Sequence, residues 1–191
     1  TSGGVNGVIH GKKAGFGQAT TDTDALLKDT TVNTIAIVTR HNSHANFVAK
    51  ALEHGKHVFV EKPLAINLQE LELLEQLYLK NAGKTHLMVG FNRRFAPQVQ
   101  KMKSLLSSVK QPKSFIMTMN AGAIPAEHWT QDSEVGGGRI IGEACHFIDL
   151  MRFLAGSKIV KVQALRMGDN DFETITEDKA TITLGFEDGS F

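Results

Sequence analysis

The stretch His57-Val58-Phe59-Val60-Glu61-Lys62-Pro63 decides how this chain folds. Its apolar half predicts a buried strand, which must end at Pro63 because proline has no N–H to donate to a sheet. Lys62 therefore stands at the carboxyl end of a strand, where open α/β sheets bind their ligands. Because burial disfavours the ammonium form, a lysine in such a crevice is suited to proton exchange with a substrate. A surface lysine that merely follows a strand fits these residues equally well.

Strands and helices alternate on both sides of this stretch. Residues 34–39 form a β-branched run typical of a strand buried on both faces, and residues 85–91 predict a further strand. Helical patterns begin at Ser43 and at Asn67, where Asn67 and Glu70 have the spacing of a capping box. Strand, helix, strand, helix and strand with short links predict a parallel sheet with right-handed crossovers.

The pattern changes after about residue 95. Helices are predicted over residues 97–107 and 139–155, and strands over residues 113–120, 158–166 and 179–186. Strands that follow one another without intervening helices favour antiparallel pairing. This part of the chain is therefore expected to form an antiparallel sheet with one helix against it.

Composition excludes several classes of protein. Hydrophobic residues make up 41% of the 191 residues and charged residues 21%, as in ordinary globular proteins. The net charge is +1 without a basic cluster, so we expect neither nucleic acid nor a membrane as a partner. The single cysteine, Cys145, excludes an intrachain disulfide and is compatible with a reducing compartment, which favours a cytoplasmic protein.

The helix predicted at 139–155 carries several residues suited to chemistry. On a regular α-helix Gly142, His146 and Asp149 share one face, whereas Glu143 is rotated from that face by about 100°. A histidine flanked by a carboxylate is suited to general acid and base catalysis. Spacing alone favours the alternative of a core histidine bonded to a backbone carbonyl.

Metal binding is not predicted. His41, His44 and Cys145 lack a convincing fourth ligand for zinc. Glu143-x-x-His146 matches half of a di-iron signature, but the motif occurs only once in the chain.

Three further segments are able to contact a ligand. The loop at 39–44, Thr-Arg-His-Asn-Ser-His, joins a strand to a helix start, where backbone N–H groups meet ligands, although it also suits a simple helix cap. Trp129 is the only tryptophan, and with His128 it suits a sugar face as well as internal packing. Arg93 and Arg94 follow a strand and suit phosphate or carboxylate groups, or simple surface solvation.

Taken in order, four motifs resemble the glucose-fructose oxidoreductase and inositol dehydrogenase (Gfo/Idh/MocA) family: residues 39–44, 61–63, 90–95 and 136–150. The resemblance implies an α/β fold in which residues 1–95 are part of a Rossmann-type parallel sheet that binds NAD or NADP. It implies that residues 96–191 are the first part of an α+β domain with an open, mainly antiparallel sheet. That domain would carry the substrate site and the face of a homo-oligomer. The first β-α-β segment, with its phosphate loop, would precede Thr1, and further strands would follow the chain.

The resemblance implies an NAD(P)-dependent oxidoreductase that transfers a hydride between the nicotinamide and a secondary alcohol of a sugar, cyclitol or nucleotide sugar. Lys62 and His146 match the catalytic pair that flanks the reacting carbon. The expected cofactor-binding residues are Thr39, Arg40, Asn42, His44, Glu61, Lys62 and Asn92. The expected substrate-binding residues are Arg94, His128, Trp129, Arg139 and Asp149.

One departure from the family pattern concerns Gly142, which stands where the family usually has an aspartate. On a regular helix Glu143 points elsewhere and does not replace it. A glycine at this place is expected to face the crevice and to leave room for a bulky substrate. The departure favours a second hypothesis, a regulator that kept the fold and lost catalysis, while the presence of Lys62 and His146 disfavours it.

Overall fold

The computed structural model describes residues 3–167 and 179–191. The first part contains a three-stranded parallel sheet of β1 (Thr34–Ile37), β2 (His57–Val60) and β3 (Leu87–Val89), in that spatial order. Its helices are α1 (Gly4–Lys13), α2 (Thr23–Lys28), α3 (His44–Glu53) and α4 (Leu68–Lys80). The predicted parallel α/β arrangement is confirmed.

The core of this part lies between α3 and the sheet. Val48 and Leu52 on α3 are fully buried, as are Val60 on β2 and Leu74 on α4. Each such side chain contributes about 1.5–3 kcal/mol of burial free energy relative to an exposed position. This packing fixes the end of β2, two residues before Lys62.

The expectation that residues 34–39 are buried on both faces is wrong. Ile37 is buried, but Ala36 and Val38 are exposed. The strand packs through one face against α3, and its regular part already ends at Ile37. Short strands with one covered face alternate in burial even when every side chain is apolar.

The second part contains α5 (Pro97–Leu106), a π-helical turn (Ile140–Ala144), α6 (Cys145–Ala155), β4 (Ile159–Arg166) and β5 (Ala180–Phe186). Strands β4 and β5 pair antiparallel, as predicted, and α5 packs against α6. Helix α6 ends at Ala155 and is capped by Gly156, whose φ of 74° is the left-handed conformation that glycine adopts most easily. None of the helices among the described residues is long and apolar enough to cross a membrane.

The strand predicted at 113–120 does not form. Only the backbones of Lys113 and Phe115 are hydrogen-bonded to a neighbouring segment, through the N–H and carbonyl of Phe191. Apolar residues beyond them, such as Ile116, are exposed. The described residues give this segment two backbone–backbone hydrogen bonds to its neighbour, which are too few for the ladder that a strand requires.

Candidate active site

The carboxyl ends of the three parallel strands bring their following loops to one edge of the sheet. Arg40 and a short 3₁₀ turn at His41–Ser43 follow β1, Glu61 and Lys62 follow β2, and a second 3₁₀ turn at Asn92–Phe95 follows β3. Such an edge is where doubly wound folds bind their ligands. The Glu61 carboxylate lies against Gly90, since a Cβ on that glycine would be 3.1 Å from it.

Lys62 joins this edge to the second part of the chain. Its ammonium donates hydrogen bonds to the Gly142 carbonyl oxygen at 2.8 Å and to Glu143 Oε1 at 2.9 Å. Only 14% of the lysine side chain is exposed. An ammonium has three N–H donors, so these two contacts leave one for another partner.

The contact with Glu143 corrects the expectation that this residue points away from the crevice. That expectation assumed a regular α-helix, in which neighbours are about 100° apart. Residues 140–144 form instead a π-helical turn, which accommodates one extra residue before α6 begins at Cys145. The wider turn rotates Glu143 relative to α6 and brings its carboxylate to Lys62.

The space beside Gly142 is also different from the expectation, because it is filled by His41. Gly142 is buried, and a Cβ on it would be 3.1 Å from His41 Cε1. The His41 Nδ1–H donates to the Gly136 carbonyl oxygen at 2.8 Å, and its ring meets the Trp129 ring edge-on at 4.8 Å. Gly142 therefore leaves room for this histidine, not for a bulky substrate.

His146 lies one helical turn beyond this region and is buried, with 6% exposure. Burial lowers its pKa below the ordinary value of 6.5, and the positive charges of Lys62 and Arg93 lower it further. The imidazole is therefore neutral at pH 7. Its Nδ1 is buried and has no hydrogen-bond partner among the described residues. The Phe91 ring lies edge-on to it at 6.2 Å.

Two side chains near Lys62, Glu143 and Cys145, also have shifted pKa values. Burial raises the pKa of Glu143, but the hydrogen bond and the charge of Lys62 outweigh burial and hold this pKa below its ordinary value. Burial raises the pKa of the Cys145 thiol to about 11, so the sulfur is protonated and unreactive at neutral pH.

His44 connects the loops that follow β1 and β2. Its fully buried ring nitrogens lie 2.7 Å from the Pro63 carbonyl oxygen and 3.0 Å from that of Thr39. Thr39 in turn shares a hydrogen bond of 2.6 Å with the Ser43 hydroxyl. Of the residues expected to bind cofactor, buried His44 therefore connects the two loops at this edge through hydrogen bonds, and Thr39 is exposed.

The remaining residues expected to bind ligands are placed as follows. The Arg40 guanidinium lies 5.6 Å from the centre of the Trp129 ring, and the Asn42 backbone N–H donates to Val135. The Arg94 guanidinium is ion-paired with the Asp149 carboxylate. The Arg139 guanidinium donates a hydrogen bond to the Gly122 carbonyl oxygen. The His128 Nδ1 forms a hydrogen bond with the Thr130 hydroxyl. Asn92 begins the 3₁₀ turn after β3. Arg94 and Asp149 are therefore partners of each other in this structure.

A cavity lies beside Glu143. It has a volume of about 770 Å³ and is bounded by residues 115–124, α6 and β5. Arg139, Glu143 and Phe147 are among its lining residues, whereas Lys62 and His146 are not. Glu143 therefore separates Lys62 from the cavity.

Sequence reasoning missed two residues of this site. Nothing in the spacing indicated that Glu143 reaches Lys62, because the π-helical turn has no sequence signature. His41 was expected in the ligand-contacting loop at 39–44 and was weighed as a zinc ligand, but its contact with Gly142 was not predicted. Among the described residues no three His, Cys, Asp or Glu side chains cluster as metal ligands would.

The carboxyl edge of a parallel sheet, with Lys62 on it and the buried His146 on the helix that follows the π-helical turn, is a place where α/β folds bind their ligands. Comparison with known families agrees. Residues 11–91 match the family model described as "Oxidoreductase family, NAD-binding Rossmann fold", and residues 99–191 match "GFO/IDH/MocA C-terminal domain". The chain belongs to the Gfo/Idh/MocA oxidoreductase family.

Individual relatives are similar along most of this chain. A 1-carboxy-3-chloro-3,4-dihydroxycyclohexa-1,5-diene dehydrogenase of Comamonas testosteroni is 31% identical, over 88% of this chain and 43% of the relative. A scyllo-inositol 2-dehydrogenase (NAD(+)) of Bacillus subtilis is 30% identical, over 94% of this chain and 52% of the relative. The crystal structure of a probable dehydrogenase from Thermotoga maritima superposes with a TM-score of 0.80 at 26% identity, over 97% of this chain and 56% of that protein. The chain thus spans about half the length of the curated relatives it matches.

Proposed function

We propose that this chain forms the catalytic edge of an NAD(P)-dependent oxidoreductase acting on a secondary alcohol of a sugar, cyclitol or nucleotide sugar. The observation that carries the proposal is the arrangement of Lys62 and His146. Lys62 is held by two acceptors and keeps a third donor, while His146 is buried, neutral and has an Nδ1 without a partner among the described residues. Relatives named as dehydrogenases of cyclic alcohols support the substrate class.

These two groups suit the removal of a hydroxyl proton. The free donor of Lys62 would bind the substrate oxygen and stabilise the negative charge that develops on it. Neutral His146 would accept the proton, because its pKa below 6.5 keeps an open lone pair at pH 7. When bound, the oxidised nicotinamide supplies the acceptor for the hydride that leaves the carbon.

The residues present fit a dinucleotide at this edge. The loops after β1, β2 and β3 meet at the carboxyl edge of the sheet, and Gly90 has no side chain between this edge and the Glu61 carboxylate. Thr39, Arg40 and Asn42 after β1, Glu61 after β2 and Asn92 after β3 would hold the cofactor, with His44 supporting their loops from below. Fixed loops at one strand edge provide the orientation that hydride transfer needs.

We also propose the organisation of the molecule. Residues 1–95 would be part of the dinucleotide-binding Rossmann domain, and residues 96–191 the first part of the substrate domain. Val160, Val162 and Leu165 on β4 are exposed apolar side chains, which supports association of copies through the second-domain sheet. A cytoplasmic location remains an expectation from the cysteine content.

The test is a substrate screen with the intact protein that contains this chain. NAD⁺ and NADP⁺ are each combined with cyclitols, pyranoses and nucleotide sugars, and the reduced cofactor is followed by absorbance. With an active substrate, deuterium placed at the carbinol carbon should appear at C4 of the nicotinamide. Binding of the cofactor without turnover on any of these alcohols or on the matching ketones would contradict the proposal.

A further inference from the structure

Two residues in the second part of the chain orient the ammonium of Lys62. Its two acceptors, the Gly142 carbonyl and the Glu143 carboxylate, are consecutive residues of the π-helical turn. The charge of this ammonium affects the pKa of four nearby groups: His41, Glu143, Cys145 and His146. Glu143 is the one carboxylate among these four.

The structure leaves little space for a side chain at 142. His41 occupies the volume into which a side chain at 142 would extend, at 3.1 Å from a Cβ there. His41 is itself fixed by Gly136 and Trp129 and has little freedom to withdraw. The π-helical turn then carries Glu143 to the lysine.

We propose that Glu143 is the positioning residue for Lys62, at a place where His41 leaves no room for a side chain at 142 and the π-helical turn brings Glu143 to the lysine. The Glu143 carboxylate holds one N–H of Lys62, the Gly142 carbonyl holds a second, and the third is left to point at the substrate oxygen. This rests on the proposed function insofar as Lys62 acts on substrate. The pairing itself stands on the geometry alone.

The pairing places specific demands on substitutions at 143. Glutamine keeps the size of the side chain but replaces the negative charge with a neutral amide. Its hydrogen bond to the Lys62 ammonium is therefore weaker, and the lysine samples other positions. A misplacement of about 1 Å costs on the order of 100-fold in rate. Aspartate keeps the charge and is able to recover part of the grip, because the carboxylate of Glu143 is half exposed and has room to adjust.

The first measurement is the turnover of Glu143→Gln and Glu143→Asp in the intact protein, with the alcohol found in the substrate screen. Glu143→Gln should lower kcat on the order of 100-fold, with a smaller change in KM, and Glu143→Asp should restore a large part of kcat. Glu72→Gln, at an exposed position of α4, is the matched control and should leave kcat unchanged. Unchanged kcat in Glu143→Gln would overturn the positioning role.

The second measurement needs no substrate. Thermal unfolding is compared for the original protein, Glu143→Gln, Lys62→Met and the double variant. If Glu143 acts through Lys62, Glu143→Gln lowers the melting temperature by a few degrees in the original protein and has less than half of that effect in the Lys62→Met background. An equal loss in both backgrounds would show a structural role independent of the lysine and would overturn the inference.

The two measurements separate failure of the inference from failure of the proposed function. If the original protein turns over no alcohol, the proposed function fails, and the unfolding cycle alone decides whether Glu143 is paired with Lys62. If Lys62→Met abolishes turnover while Glu143→Gln does not affect it, the function stands and the positioning role is wrong.

Discussion

At the scale of single residues, the site is shaped by three buried histidines, of which only His146 was expected from its spacing to lie in the core. His41 fills the space beside Gly142, His44 ties two loops together, and His146 presents a nitrogen that no described residue contacts. Motif matching identified His44 and His146 by position. The packing partner of Gly142 depends on contacts between residues about one hundred positions apart, which spacing along the chain does not report.

The close approach of His41 and Gly142 predicts a coupled effect on stability. Gly142→Ala should destabilise the protein by about 1–3 kcal/mol, because the added methyl group overpacks against the imidazole. The loss should be smaller in a His41→Ala background, where the space is open. Urea unfolding of the single and double variants measures this coupling.

Gly17→Ala is the control for that pair, since a Cβ at Gly17 meets nothing within 4 Å. It should leave stability within about 1 kcal/mol of the original. Additive losses in Gly142→Ala and His41→Ala would mean that the two residues do not share the space.

The pH dependence of stability follows from His41 and His146. Burial lowers the pKa of both, with Lys62 adding to the effect, so the folded protein binds protons less readily than the unfolded chain. Their contribution is complete above about pH 6.5, the ordinary histidine value, and is lost as the pH falls. Urea unfolding at pH 7.5, 6.5 and 5.5 should show decreasing stability. His41→Ala should reduce this dependence of stability on pH. An unchanged dependence would show that His41 does not contribute to it.

At the scale of secondary structure elements, local patterns predicted most of the molecule. The parallel order of β1, β2 and β3 and the antiparallel pairing of β4 with β5 are confirmed, since periodicity and connection length determine them. The strand predicted at 113–120 was wrong, since only Lys113 and Phe115 of this segment have backbone hydrogen bonds to Phe191. The π-helical turn was unpredictable, because it depends on the contacts of Gly142 and Glu143 with other parts of the fold.

The predicted capping box of α4 gives a test of one element. Asn67 Oδ1 accepts from the Glu70 N–H at 2.9 Å, and Glu70 Oε2 accepts from the Ile66 N–H at 3.0 Å. Asn67→Ala should therefore cost about 1 kcal/mol of unfolding free energy. Gln76→Ala, exposed in the middle of the same helix, should change it by less than about 0.5 kcal/mol. Equal effects of the two substitutions, measured by urea unfolding, would remove the cap as a source of stability.

At the scale of the whole molecule, the site exists only where the two parts of the chain meet. Lys62 from the sheet edge binds Gly142 and Glu143, and His41 from the neighbouring loop binds Gly136, so the contacts join residues about eighty to ninety-five positions apart. Resemblance to the family predicts Lys62 and His146 as a pair. It does not predict how the pair is held, since long-range contacts depend on how the parts pack.

The central claim is that Lys62 acts on the substrate and not on the dinucleotide. Lys62→Met in the intact protein tests it most directly, with turnover of the alcohol and the dissociation constant of NADH measured on the same preparation. We expect turnover to fall by about 10²–10⁴-fold while NADH binding changes little. Lys80→Met, at the exposed end of α4, should change neither quantity. Undiminished turnover in Lys62→Met, or a loss explained wholly by weaker NADH binding, would contradict the account.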